Sequence, residues 1–322
     1  MLVAVVAPRS SAPTVSVLVP LYNCLALTQA CLASLDSTWP SGLSRELILV
    51  DDGSTDGTRD WLANLRRNDT RVVLNERNLG YAVSNNRAAA VAEGRLLALL
   101  NNDLVLQPGW LPPMLAAHRA LGPRAGVVGN VQTAVDGGHV DHAGIRINLK
   151  GKPEHVRTLP FGSSVGLRRV VAAEAVTGAC LLIDRGLWGE LGGFDEGYLN
   201  GCEDVDLCFR AAEAGRRNVV ALRSRVRHHV SSSPGRKRRD EANTRRLTLR
   251  WRDRLAALAA RRWCADYLWR EWTHPREPKG WPEAASALSY RLHLRRQPPG
   301  LALAGLHEAI GRELSRWSAL GL

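Results

Sequence analysis

Along the first third of the chain, short apolar runs alternate with amphipathic stretches. Val15–Pro20 reads as a buried strand, Leu25–Ser37 as a helix and Glu46–Asp51 as a second strand. A strand over Arg71–Asn75, a helix over Tyr81–Glu93, a strand over Arg95–Leu100 and a helix near Leu111–Leu121 continue the pattern. This alternation predicts an α/β chain with a parallel sheet. Polar clusters follow two of the strands, Asp51-Asp52-Gly53-Ser54 and Asn101-Asn102-Asp103. In such a sheet the ligand crevice lies outside the carboxyl ends of the strands, so distant clusters converge there.

The pattern then becomes mixed. Gly126–Val131, Gly144–Asn148 and Ala179–Ile183 read as strands, Arg185–Leu191 as a short helix, and Pro153–Gly166 as a mobile connection because of its Pro and Gly content. A Gly192–Tyr198 loop leads into Glu203-Asp204-Val205-Asp206-Leu207-Cys208-Phe209-Arg210, where Val205, Cys208, Phe209 and Ala212 form a helical stripe and Gly215 marks its end. The three carboxylates thus fall in the first turn, where the helix dipole favours the ionised form that a general base needs. A structural role fits the same pattern: Glu203 and Asp204 as caps, Asp206 as the i,i+4 partner of Arg210. Beyond His228-His229 the chain turns basic over Ser231–Arg239 and then reads as helices rich in Arg and Trp through Leu322.

With 322 residues and 45% hydrophobic content, the chain has room for one large α/β domain and a helical extension. It has no apolar run of eighteen or more residues, and Leu2–Ala7 is too short for a signal peptide. Six cysteines lack both Cys-x-x-Cys and zinc-ligand spacing, as expected of reduced thiols in a cytoplasm. The net charge of +12 is localised, with sixteen basic residues between Arg216 and Arg262. Such a patch suits anionic lipid, a phosphorylated acceptor or nucleic acid, and equally an arginine-rich surface without a partner.

Chemistry enters through the polar clusters. Asp51 and Asp52 offer acceptors for a base N–H or ribose hydroxyl, and Asn101, Asn102 and Asp103 offer oxygens to a ribose and to Mg²⁺ or Mn²⁺. His228 or His229 adds an imidazole, which suits Mn²⁺ better; on a strand the two point to opposite faces, so one of them reaches the site.

Seven motifs in this order resemble glycosyltransferase family 2, the inverting sugar-nucleotide transferases of GT-A fold. They are Val17-Leu18-Val19-Pro20-Leu21-Tyr22-Asn23, Val50-Asp51-Asp52-Gly53-Ser54-Thr55-Asp56-Gly57-Thr58, Asn75-Glu76-Arg77-Asn78-Leu79-Gly80-Tyr81-Ala82, Leu100-Asn101-Asn102-Asp103, Thr177-Gly178-Ala179-Cys180, Gly193-Phe194-Asp195-Glu196 and Glu203-Asp204-Val205-Asp206. The resemblance covers about Val15 to Ser233 and implies a mixed central sheet flanked by helices. By the same resemblance Pro20, Tyr22, Asn23 and Asp52 line a nucleotide pocket that Asn78 and Gly80 help shape. Asp103 and His228 bind a divalent metal, and Thr177, Gly178 and Ala179 lie beneath the donor sugar. Asp204 is the catalytic base, with Glu203 and Asp206 orienting acceptor or base, and the Asp195 loop bears on donor choice. The family's usual Asp-x-Asp begins here with Asn101, which leaves the ribose contact to Asn101 or Asn102.

The expected organisation is an N-terminal tail over 1–14, a transferase domain over 15–233 and a helical extension over 234–322. The expected activity is transfer from a UDP- or dTDP-sugar to a glycan, lipid-linked or other acceptor, with peripheral membrane association and without nucleic acid. A non-catalytic module that binds glycan or nucleic acid through the basic region is the competing class. A nucleotidyltransferase lacks its Gly-rich triphosphate loop here, and a dehydrogenase lacks Gly-x-Gly-x-x-Gly after the first strand.

Overall fold

The computed structural model describes residues 13–136, 138–160, 162, 169–229, 236–273, 281–292 and 294–322. Its contacts divide the chain into two units, Met1–Ile145 with His155–Pro234 and Arg146–Glu154 with Gly235–Leu322.

The first unit opens with β1 (Val15–Leu21), α1 (Leu25–Thr38), β2 (Arg45–Asp51), α2 (Thr58–Asn64), β3 (Thr70–Leu74), α3 (Tyr81–Ala90) and β4 (Leu96–Leu100). β1 pairs in parallel with β2 and β4, and β2 with β3. Both faces of these strands are covered, so β4 reads Leu-Leu-Ala-Leu-Leu and is buried throughout. Short β5 (Leu104–Leu106) and α4 (Leu111–Leu121) lead to β6 (Ala125–Ala134) and β7 (Val140–His142). Then come β8 (Ile145–Ile147) and β9 (Pro153–His155), which pair with each other, followed by β10 (Val170–Ala172), β11 (Cys180–Asp184), α5 (Arg185–Leu191), α6 (Glu203–Glu213) and β12 (Arg217–His228).

The main sheet runs β10-β12-β6-β11-β4-β1-β2-β3, with β5 beside β12 and β7 beside β6. β11 lies antiparallel to both β4 and β6, and β12 runs parallel to β6. The sheet is therefore mixed, and the start of β11 meets the carboxyl end of β4. The connection expected over Pro153–Gly166 opens instead as β9, whose first residues take part in a two-stranded ladder. α2 and β12 escape a reading by apolar runs: α2 is polar on its outer face, and the outward positions of β12 carry arginine.

The second unit contains α7 (Arg236–Thr273), which departs from helical geometry at Trp251, α8 (Trp281–Arg291) and α9 (Gly300–Ala319). Leu247, Leu255, Cys264, Leu306, Ile310 and Trp317 are buried in it. Lys152 pairs with Glu313 at 2.7 Å, and its ammonium lies 5.1 Å above the Trp317 ring. The basic run expected over Ser231–Arg239 lies mostly outside the residues or side chains described.

Candidate active site

The loop after β2 is built around its two aspartates. Asp51 is fully buried, paired with Arg59 Nε at 2.8 Å and reached by the Ser54 amide at 3.3 Å. Asp52 Oδ1 accepts from Asn75 Nδ2 and the Leu79 amide, both at 2.8 Å, and Oδ2 accepts from the Gly80 amide at 2.9 Å. Asp52 thereby ties β2 to the Asn78–Gly80 turn. Gly53 between them has φ 80°, and a Cβ there would lie 2.6 Å from the Arg77 carbonyl carbon. Only glycine lets the two loops approach this closely.

Beside this loop, Asn23 takes φ 55°, donates its amide to Ser54 Oγ at 2.8 Å and accepts the Thr55 amide at 2.8 Å. Tyr22 is 49% exposed, a ring left at the surface next to that turn. Pro20 is partly buried one strand over from Val50, and Asn78 is exposed. Asn101 gives its amide to the Ala179 carbonyl at 2.8 Å, while Asn102 Nδ2 donates to Thr28 Oγ1 at 2.9 Å.

Asp103 follows directly. Its Oδ1 is buried without a hydrogen bond, although His228 Nε2 stands 3.2 Å away. The His229 amide donates to the Asp103 carbonyl at 3.1 Å, which fixes the end of β12 against this turn. A carboxylate oxygen and an imidazole nitrogen facing each other at this distance match two neighbouring ligands of an octahedral ion bound at about 2.1 Å. No group of three or more His, Cys, Asp and Glu side chains suited to a metal occurs among the described residues. Two protein ligands leave the remaining positions of such a shell to oxygens from outside the protein, as Mn²⁺ and Mg²⁺ favour. The residues present fit such an ion.

Across the site, α6 begins at Glu203. Asp204 Oδ2 accepts the Gly178 amide at 2.8 Å, and Oδ1 accepts the Val205 amide at 2.8 Å. Burial raises its pKa above the ordinary carboxylate value, opposed by these amides and by the charge of His155. Glu203 is buried and accepts the Gly201 amide at 2.6 Å. Asp206, with no exposure, pairs with Arg210 Nε at 2.7 Å. Arg210 in turn binds the carbonyls of Leu191 at 2.5 Å and Gly193 at 2.8 Å. Asp206 thus sits in the i,i+4 pair and braces the glycine turn before Asp195, whose Oδ1 accepts the Gly197 amide at 2.9 Å.

Thr177, Gly178 and Ala179 lie between these groups. Tyr81, at the start of α3, donates its hydroxyl to the Gly178 carbonyl at 2.7 Å, and its amide is capped by Asn200 Oδ1 at 2.8 Å. His142 lies beneath, its Nε2 accepting from the Thr177 amide at 3.4 Å and its Nδ1 3.0 Å from His155 Nδ1. Tyr81, Asn200, His142 and His155 escape sequence reasoning. The two histidines are isolated in the chain, and only the Asn75–Ala82 motif pointed near Tyr81. A cavity of about 570 Å³, lined by Arg95, His118, Arg119 and Arg216 among others, lies at the opposite, amino end of β4 and β6, away from this constellation.

Residues 16–173 match the family model described as Glycosyl transferase family 2. The chain is 31% identical over 212 residues to N-acetylglucosaminyl-diphospho-decaprenol L-rhamnosyltransferase of Mycobacterium tuberculosis, covering 59% of this chain and 68% of that protein. It is 32% identical over 238 residues to the O-antigen biosynthesis protein RfbC of Myxococcus xanthus, 70% of this chain and 18% of that one. An uncharacterized protein of Sinorhizobium fredii, y4gI, is 34% identical over 237 residues, 71% of this chain and 26% of its own length. The chain thus spans about a quarter or less of these last two relatives. The solved structure of GalNAc-T7 with UDP, GalNAc and Mn²⁺ superposes with a TM-score of 0.61 at 18% identity, covering 88% of this chain and 58% of that one, a likeness of fold. The architecture is the GT-A one, and with a relative matched across two thirds of its length the chain belongs to glycosyl transferase family 2.

Proposed function

We propose that the chain transfers a sugar from a nucleoside-diphosphate donor, UDP or dTDP, to an acceptor hydroxyl with inversion at the anomeric carbon. The observation that carries this reading is that the Gly178 amide meets Asp204 while the carbonyl of the next residue, Ala179, takes the amide of Asn101, two residues before Asp103 and its neighbour His228. Asp204 removes the acceptor proton as the oxygen attacks, and a single displacement releases the nucleoside diphosphate. Asp103 and His228 would hold a divalent ion, which would supply positive charge to the departing diphosphate. Asp52 holds the Asn78–Gly80 turn and Asn23 the Ser54–Thr55 turn, and the nucleotide rests on these with Pro20, Tyr22 and the Asn101–Asn102 oxygens. Asp51 keeps this loop closed from inside, while Glu203 and Asp206 hold the frame around Asp204 rather than reacting.

The name of the mycobacterial relative, with the O-antigen relative, supports a lipid-linked acceptor in cell-surface polysaccharide synthesis. No described helix is long and apolar enough to cross a membrane. Trp269 and Trp272 are 68% and 84% exposed on α7, amid arginines, which supports peripheral attachment at the cytoplasmic face. A screen of UDP-, dTDP- and GDP-sugars for Mn²⁺-dependent hydrolysis tests the core of the reading. Release of UDP or dTDP is expected. Hydrolysis of GDP-sugars alone reassigns the nucleotide, and turnover of none, with salt-sensitive nucleic-acid binding, favours a binding module.

A further inference from the structure

The start of α3 is tied to three separate segments of the site. The Gly80 amide goes to Asp52 Oδ2 at 2.9 Å, and the Tyr81 amide goes to Asn200 Oδ1 at 2.8 Å. The Tyr81 hydroxyl donates to the Gly178 carbonyl at 2.7 Å. Gly178 in turn gives its own amide to Asp204 Oδ2 at 2.8 Å. One glycine therefore has its carbonyl held by a phenol and its amide held by a carboxylate.

The phenol reaches Gly178 because that residue has no side chain. A Cβ there would come within 3.2 Å of Tyr81 Cε1 and of its hydroxyl oxygen, so the ring lies against the bare Cα. The same lack of a side chain leaves the backbone of Gly178 freer to turn than that of its neighbours. Those neighbours are anchored elsewhere: the Ala179 carbonyl takes the Asn101 amide at 2.8 Å, and the Thr177 amide meets His142 Nε2 at 3.4 Å. Among the described residues, the Gly178 carbonyl is bonded by the phenol alone. The ring is itself wedged, 5.7 Å between centroids from Phe194, which stands edge-on to Trp188 at 4.9 Å.

Resting on the reading of Asp204 as the base, we propose that Tyr81 is a positioning residue whose hydroxyl braces Gly178, so that the Gly178 amide holds Asp204 Oδ2 in a fixed direction. Oδ2 accepts the Gly178 amide and Oδ1 the Val205 amide, and each oxygen keeps a second lone pair that can take the acceptor proton. With the amides fixed, the directions of those lone pairs are fixed too. The ionisable groups around Asp204 are Glu203 and Cys208 of its own helix, Tyr81 of α3 and His155 of β9. Burial raises the Tyr81 pKa far above its usual value, so the phenol is neutral. Tyr81→Phe therefore changes no charge beside the carboxylate and removes only the brace.

The test is Tyr81→Phe, which keeps the ring against Phe194. A ¹³C titration of carboxyl-labelled aspartate reads Asp204, its signal assigned by its loss in Asp204→Asn. The Gly178 amide favours the ionised carboxylate, so loosening Gly178 should raise the Asp204 midpoint by about half a pH unit. Gly178→Ala, which crowds the same contact from the other side, should move the midpoint in the same direction. In donor hydrolysis, Tyr81→Phe should lower kcat about tenfold at unchanged KM, because the base is misaimed while the donor still binds. An unmoved midpoint in a chain that folds as wild type does overturns the proposal, as does a higher KM at unchanged kcat. The titration needs neither donor nor acceptor, so the two readings part. A wild type that hydrolyses no nucleotide sugar overturns the transfer reading alone, and a moved midpoint in Tyr81→Phe still upholds the brace.

Discussion

At the scale of single residues, Asp204 sets a conflict between function and stability. Its pKa is raised in the folded state, so the fold favours the protonated form. The stability this contributes is fully present below the unfolded carboxylate pKa and is lost as pH rises through the folded one. Asp204→Asn should therefore flatten the pH dependence of the thermal midpoint while cutting transfer roughly a hundredfold or more, since the amide cannot take a proton. Calorimetric scanning beside a coupled assay reads both, and near-normal turnover moves the role to Glu203. For wild type the acid limb of kcat should lie above the ordinary carboxylate range. On the metal side, Asp103→Ala and His228→Ala should weaken Mn²⁺-dependent UDP binding in isothermal titration, and His229→Ala much less. A larger effect at His229 reverses the choice of histidine. Which residues lie together was legible where residue type and motif coincide, as at Asp103 beside His228 and Asp204 beside Gly178. It was not legible at His142 and His155, because a lone histidine carries no periodicity, and only the folding of β7 and β9 brings the two rings together.

At the scale of elements, buried charge locks the strands at their amino ends, opposite the site, and a glycine lets two loops close at the carboxyl ends. Glu46 on β2 has no exposure, accepts from Ser16 Oγ at 2.5 Å and from the Glu93 amide at 2.6 Å, and so ties β1 and the connection between α3 and β4 to β2. Glu46→Ala strips these donors of their acceptor and should cost about 2–4 kcal/mol in urea denaturation. Gly53→Ala should cost about 1–3 kcal/mol and weaken nucleotide binding, since both the backbone region and the Arg77–Asn78 approach oppose a Cβ. A wild-type denaturation curve in either variant removes the corresponding lock. The first strands and helices were readable because apolar runs and amphipathic stripes match their periods. β12 was harder, since a strand with arginine at every outward position has no clean apolar run, and β7, β9 and β10 are three residues each, too short for a period to register.

At the scale of the whole molecule, attachment to a membrane is a question of the exposed surface of α7. Trp269→Ala together with Trp272→Ala should reduce co-sedimentation with phosphatidylglycerol vesicles at low salt, the rings contributing what charge alone does not. Equal partitioning of variant and wild type leaves the tryptophans without that role. The order of strands has a different consequence, for the growing chain. β4 is apolar throughout, yet the neighbour on its far side is β11, Cys180–Asp184, made long after Leu96–Leu100. While the ribosome works through the intervening stretch, the half-built sheet carries a bare, sticky margin of unpaired amides and leucines. A chain stopped after Leu121 should precipitate or sequester with chaperones, and one carried past His228 should resist, because β11 and β12 then close the sheet from within.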